Sequence, residues 1–169
     1  MKALVVVEYQ NDFVDGSLGS PEALSIEDAL CARLEEVLSE GGDLYFTLDT
    51  HGTSYLNTFE GKRLPVEHCQ VGTFGVKIHG KVGEYVPKGT VLSKTTFGCS
   101  RLLEELKDYD EIEICGVATD ICVLANAVMA RTANPEARIT VRRDCVASYD
   151  REAGEKALDV MGSLQIDVV

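Results

Sequence analysis

Six short apolar runs punctuate the chain, and the stretches between most of them repeat hydrophobic residues at helical spacing. The first run, Ala3–Val7, is followed by Ile26, Leu30, Leu34 and Val37, three or four residues apart, until Gly41 and Gly42 stop the pattern. Leu44–Leu48, Thr90–Ser93, Glu111–Cys115, Arg138–Val141 and Leu164–Val169 are the other five runs. Helical patterns are expected around Ser100–Lys107, along a face made by Ile121, Leu124, Ala125, Val128 and Met129, and over Ala153–Met161. Strands that alternate with helices pair in parallel, because right-handed crossovers lay the helices on both faces of one sheet. The expected fold is therefore α/β, a six-stranded, mostly parallel sheet covered by helices on both faces, in a single domain spanning residues 1–169. A chain of 169 residues that is 45% hydrophobic can bury a full core for such a sheet.

In sheets of this kind ligands bind beyond the carboxyl ends of the strands, where the strand order switches. Chemically competent side chains fall at that edge. Glu8 ends the first strand in LVVVEYQNDF, Asp49 ends the second, Lys94 ends the third, and Cys122 sits just after the fourth in GVATDICV. A buried carboxylate is costly unless paired or protonated. Glu8 thus either meets Lys94 and Cys122 at the sheet edge or lies in solvent because the strand ends one residue earlier. Thr119 is placed to cap a helix whose first turn holds Cys122, and a helix N-terminus with Lys94 nearby favours a thiolate. Glu8 could take and return the thiol proton, and the small residues of the GVAT turn could aim backbone amides at an oxyanion. Cys99 also precedes a helix and is the rival nucleophile; Cys115, inside an apolar strand, reads as core.

A long polar segment from Asp49 to Pro87 lacks clear periodicity, the mark of a functional insertion. Its start, LDTHGTSYLNTFEGKRLPVEHC, supplies a second constellation. In extended backbone Asp49 and His51 face the same side. Glu60 and His68 could return from the loop to complete an N/O donor set for a divalent metal, zinc first, with iron or manganese as alternatives. His79 reads as an ordinary surface or hydrogen-bonded histidine. Asn11 and Asp12 could simply shape the turn after the first strand. The six cysteines show no CxxC and no framework spacing, so reduced thiols are expected. Sixteen basic against twenty-eight acidic residues, a net charge of −12, leave no basic stripe for nucleic acid or an anionic membrane surface. No apolar run approaches the roughly 20 residues of a membrane span, no signal-peptide pattern precedes the first strand, and a cytoplasmic protein is expected.

Together, VVVEYQNDF, LDTH, SKTTFG and GVATDICV, in this order and over essentially the whole chain, resemble the isochorismatase-like cysteine hydrolases, and among them the nicotinamidases. The resemblance implies a six-stranded parallel sheet and an Asp–Lys–Cys triad, which lands here on Glu8, Lys94 and Cys122. It implies a non-proline cis peptide between Val117 and Ala118, with the amides of Ala118 and Cys122 as an oxyanion hole. Metal ligation would fall to Asp49, His51 and His68, with Glu60 the assignment for the remaining position. Phe13, Val117 and Tyr149 would contact the substrate; Phe13 and Tyr149 read equally as walls for a flat ring or as core aromatics. One departure stands out: glutamate occupies the seat where the family pattern has aspartate. The implied activity is a cysteine-dependent amidohydrolase turning nicotinamide into nicotinate and ammonia through a thioester. The alternatives are hydrolysis of another small amide, a ureido compound or an isochorismate-type vinyl ether, and a weakly active or inactive ligand-binding homologue. A small amide is the implied partner, in a homo-oligomer.

Overall fold

The computed structural model describes all 169 residues, Met1–Val169. Six strands, β1 (Lys2–Val7), β2 (Asp43–Asp49), β3 (Thr90–Lys94), β4 (Glu111–Val117), β5 (Arg138–Ala147) and β6 (Asp167–Val168), form one sheet in the order β3-β2-β1-β4-β5-β6, every pair parallel. Residues Ala3–Val7 are wholly buried, and the pleat sends them alternately to two cores. Ala3, Val5 and Val7 pack with Leu102 of helix α4 (Leu102–Glu105), Val123, and Ala127 and Ala130 of α5 (Leu124–Ala133). Leu158 and Met161 of α6 (Arg151–Ser163) complete that layer. Leu4 and Val6 pack on the other face against Leu30, Leu34 and Val37 of α3 (Glu27–Ser39). Three layers result, as the alternation of runs requires.

Local expectations and structure part company where tertiary contacts override pattern. The fifth strand runs on past Val141 to Ala147, because a bulge against β4 moves the pairing from Ile114–Val141 to Gly116–Val146 and lets the polar residues between them turn outward. The last strand shrinks to Asp167–Val168, since Leu164 and Gln165 close α6 by bonding back to Val160, Met161 and Gly162. The predicted helix over 100–107 is a single turn. Two short helices, α1 (Asn11–Val14) and α2 (Pro21–Ser25), carry no periodic signal; α2 is set instead by Pro21 in its first turn and by the Ser20 hydroxyl, which accepts from the Ala23 N–H at 3.1 Å. The expected face of the helix after β4 is turned, with Leu124 and Met129 packing only at the edge of the core. Ile121 and Val128 are exposed, while Cys122, Val123, Asn126, Ala127 and Ala130 face inward. Residues Thr119–Val123 form a π-wound turn that rotates the face relative to a regular helix.

The switch in strand order falls between β1 and β4. Val7 pairs in register with Gly116, which has φ +108°, and a Cβ built on Gly116 would sit 2.0 Å from the Val7 carbonyl oxygen. That close approach sets Glu8, after β1, beside the chain that leads to Cys122. Gly116→Ala should therefore cost about 3 kcal/mol or more, the upper end for a residue forced into such a conformation. A loss below about 1 kcal/mol in chemical denaturation would show that the two strand ends are not so tightly apposed.

Candidate active site

Glu8 is buried, with the left-handed φ of 47° and its N–H bonded to the Thr47 carbonyl at 3.1 Å. A non-glycine residue in this conformation needs support. The carboxylate finds it in Lys94, whose ammonium contacts Glu8 Oε1 and the Thr96 carbonyl and lies 4.0 Å from Asp49 Oδ1. In-register pairing of Asp49 with Lys94 across β2 and β3 brings both to this point. The Cys122 thiol is within hydrogen-bonding reach of the same carboxylate. Glu8, Lys94 and Cys122 line one cavity of about 460 Å³ together with Asp49, Glu60, His68, Phe13, Val117, Ala118 and Tyr149. Cys99 is buried but does not line it.

Burial works against the lowered thiol pKa that a first-turn position and Lys94 favour. Burial pushes the Cys122 thiol well above its ordinary pKa, and the Glu8 charge adds to the shift; Lys94 offsets only part. Thr119 is not a cap either: Ala118 holds the extended capping position, and Thr119 already lies within the π turn. The thiol is thus protonated at rest and needs a base. Burial raises the Glu8 carboxyl to about 7, against the pull of Lys94 and with a push from Asp49, so this group exchanges a proton near neutral pH. For Lys94 burial acts downward, but the Glu8 and Asp49 carboxylates beside it outweigh that and the ammonium is held charged.

The Val117–Ala118 peptide bond is cis. The Ala118 N–H finds no backbone acceptor, while its carbonyl accepts from Ile121 and Val123. Phe13 and Tyr149 both line the cavity: Phe13 packs against His68 with ring centroids 5.4 Å apart and also rests on the core beneath α3, whereas Tyr149 is 83% exposed.

Asp49, His51, Glu60 and His68 present one ligand atom each, all within 4.8 Å of one another. Asp49 Oδ2 is 2.8 Å from His51 Nε2 and 3.3 Å from His68 Nε2, and Glu60 Oε1 is 3.9 and 3.8 Å from the same two nitrogens. A tetrahedral shell with bonds near 2.1 Å has edges of about 3.4 Å, so this N₂O₂ set fits a zinc-sized ion with small adjustments. His68 Nδ1 lies 2.7 Å from the Val66 carbonyl, the outer bond that leaves Nε2 free to ligate, and Tyr55 packs on both imidazoles. Asp49 Oδ1, the oxygen turned away from the histidines, is buried without a hydrogen-bond partner and lies 4.0 Å from the Lys94 ammonium. Burial would raise the Asp49 pKa, yet the His68 bond and the Lys94 and His51 charges hold it below the usual range.

Several residues that hold this arrangement were not singled out for it by the sequence. Buried Gln10 clamps Asp49, its amide accepting from the Asp49 N–H at 2.8 Å and donating to the Asp49 carbonyl at 2.9 Å and to Val76 at 2.8 Å. Asn126 donates to the Cys122 carbonyl at 2.8 Å and the Phe97 carbonyl at 3.1 Å and accepts from the Cys99 N–H at 2.8 Å, tying the thiol-bearing turn to the opposite wall. An asparagine inside a helix, four residues after the cysteine, is the signal that could have exposed it. Asn11 and Asp12 do more than shape a turn: Asn11 bonds the Phe74 carbonyl and His79, and Asp12 accepts from the Cys69 N–H, which anchors the long insertion beside the metal-ligand cluster.

Residues 2–169 match the model of the isochorismatase domain. The chain is 33% identical to the uncharacterized isochorismatase family protein PncA of Bacillus subtilis, over 93% of this chain and 92% of that one. The pyrazinamidase/nicotinamidase of Streptococcus mutans superimposes with a TM-score of 0.87 at 27% identity, covering 100% of both chains. The pyrazinamidase of Pyrococcus horikoshii, solved in complex with zinc, does so with a TM-score of 0.85 at 26% identity, covering 99% of this chain and 98% of that one. With the fold, the strand-end cluster and these matches in agreement over its whole length, the chain belongs to the isochorismatase family.

Proposed function

We propose that this chain is a nicotinamidase, a cysteine-dependent amidohydrolase that turns nicotinamide into nicotinate and ammonia. What supports the reading is one cavity lined by a buried Glu–Lys pair, the Cys122 thiol and three members, Asp49, Glu60 and His68, of a four-ligand N/O cluster, in a fold shared with solved nicotinamidases. Glu8 takes the Cys122 proton as sulfur attacks the carboxamide carbon. Negative charge develops on the carbonyl oxygen and is met by the N–H groups of Ala118 and Cys122. The C–N bond then breaks, Glu8 hands its proton to the departing ammonia, and a thioester remains. Water that loses a proton to Glu8 attacks the thioester; nicotinate leaves and the proton returns to sulfur. Lys94 keeps Glu8 in place and limits the energy of its charged form. A divalent ion, zinc by its donor set, would be held by Asp49, His51, Glu60 and His68 and would supply a Lewis-acidic seat for the substrate ring. Phe13 offers its ring as a wall for the flat substrate.

Cys122→Ala should lower kcat by roughly 10⁴-fold or more, as loss of a nucleophile does, while Cys99→Ala keeps most activity. Labelling of Cys99 with Cys122 untouched, by a carboxamide-directed electrophile, would reverse the assignment. Metal analysis of protein purified without added metal should find about one divalent ion per chain, lost in the Asp49→Ala, His51→Ala double variant; full retention there would place the ion elsewhere.

Glu8 must be ionised to act as base, so kcat/KM should fall as pH drops below about 7. Glu8→Gln should nearly abolish turnover, because an amide cannot accept the thiol proton. Glu8→Asp retracts the carboxylate by about 1.5 Å toward the length of the family pattern, a displacement of the size that changes rates by about a hundredfold, and should raise kcat/KM. A Gln variant as fast as the parent, with an unchanged pH profile, would remove Glu8 from the chemistry.

A further inference from the structure

The reactive groups occupy one part of the cavity. In sheet order Lys94 ends β3, Asp49 ends β2, Glu8 follows β1 and Cys122 follows β4; Ala147 and Tyr149, one strand further on at β5, bring no charge. Parallel strands lie about 4.8 Å apart, so the distance from the β2 end to the β5 end is roughly 14 Å. Nicotinamide, seated with its ring nitrogen toward the histidine cluster and its carboxamide on Cys122, spans far less, because those two atoms are separated by three bonds. The rest of the cavity is bounded by Leu18, Gly19, Ala23, Phe97, Ile121 and Tyr149. The two serines nearby are already engaged, Ser17 bonding the Glu67 carbonyl at 3.1 Å and Ser20 capping α2, which leaves the Tyr149 hydroxyl at the rim as the polar atom of this wall. Phe97 is 48%, Ile121 46% and Tyr149 83% exposed, three large side chains that line the cavity and remain open to solvent. The volume of about 460 Å³ lies in the ~300–1,000 Å³ range of sites that enclose drug-sized ligands, and nicotinamide fills a fraction of it.

We propose that this arm is a subsite for an apolar substituent, and that the enzyme hydrolyses pyridine carboxamides larger than nicotinamide. The inference rests on the amidase reading above. The substituent is carried either by a ring carbon or by the amide nitrogen, in which case an amine leaves in place of ammonia and the rest of the bond-making is unchanged. Each buried methylene is worth about a fourfold gain in kcat/KM.

The test measures acid product from nicotinamide, 5-propylnicotinamide and N-propylnicotinamide with the zinc-loaded enzyme. One propyl amide is expected to exceed nicotinamide several-fold in kcat/KM. The ring-substituted compound doing so places the arm beside the ring, and the N-substituted compound doing so places it on the leaving-group side. Ile121→Trp, which fills the arm, should lower the favoured propyl amide at least tenfold relative to nicotinamide measured in the same variant. Turnover of nicotinamide with both propyl amides below it overturns the subsite and leaves the amidase reading standing. No turnover of any of the three overturns the amidase reading and the subsite with it.

Discussion

A carboxylate at the end of the central strand of a buried sheet has lost its water, and everything around it follows from how that loss is met. Glu8 sits where β1 and β4 diverge, and Lys94 reaches it from two strands away, across the end of β2. Removing a partner from a buried pair leaves an uncompensated charge, so β3 and the loop after it are fixed by this contact as much as by their own packing. The compensation is incomplete. Glu8 remains shifted to about 7 by burial. Its stabilising share, in the neutral form, is whole below about pH 4.5, the value in the unfolded chain, and is lost as pH rises through 7, so the native state gives up stability where the site works.

That residual cost is also the chemistry. A carboxyl that exchanges its proton near neutrality is matched to a thiol that burial keeps protonated, and it can both take the proton and return it to a leaving group. A carboxylate satisfied fully by its surroundings would be too weak a base, and a thiol already ionised would leave no proton for the amine. Asn126 and Gln10 each commit two donated bonds and one accepted bond to keeping this balance in place, one behind Cys122 and the other behind Asp49.

The long insertion between β2 and β3 acts as a second scaffold with little regular structure. Its shape comes from anchors reaching out of β1's extension: Asp12 to the Cys69 N–H, Asn11 to the Phe74 carbonyl, Gln10 to Val76. Those bonds bring Glu60 and His68 back over Asp49 and His51, so a segment without periodicity closes a donor set as compact as one built on helices.

The sheet, its six runs and their alternation with helices were legible in the residue pattern, because burial on both faces demands continuous apolar strands and a crossover needs a helix. So were Glu8, Asp49, His51, Lys94 and Cys122 as groups gathered at one edge, since the carboxyl ends of parallel strands share an edge whatever the details. The extension of β5, the shrinkage of β6 and the rotation of the helix after Cys122 were not legible: a bulge and a π turn depend on neighbours that a single sequence window does not contain. Nor was the protonation state of Cys122. Position in a first helical turn argues for a thiolate, whereas depth of burial argues against it, and depth is a property of the assembled fold. Residue types and their order along the chain determined which groups meet; only tertiary structure decided how far water is excluded from them, and with it which group holds the proton.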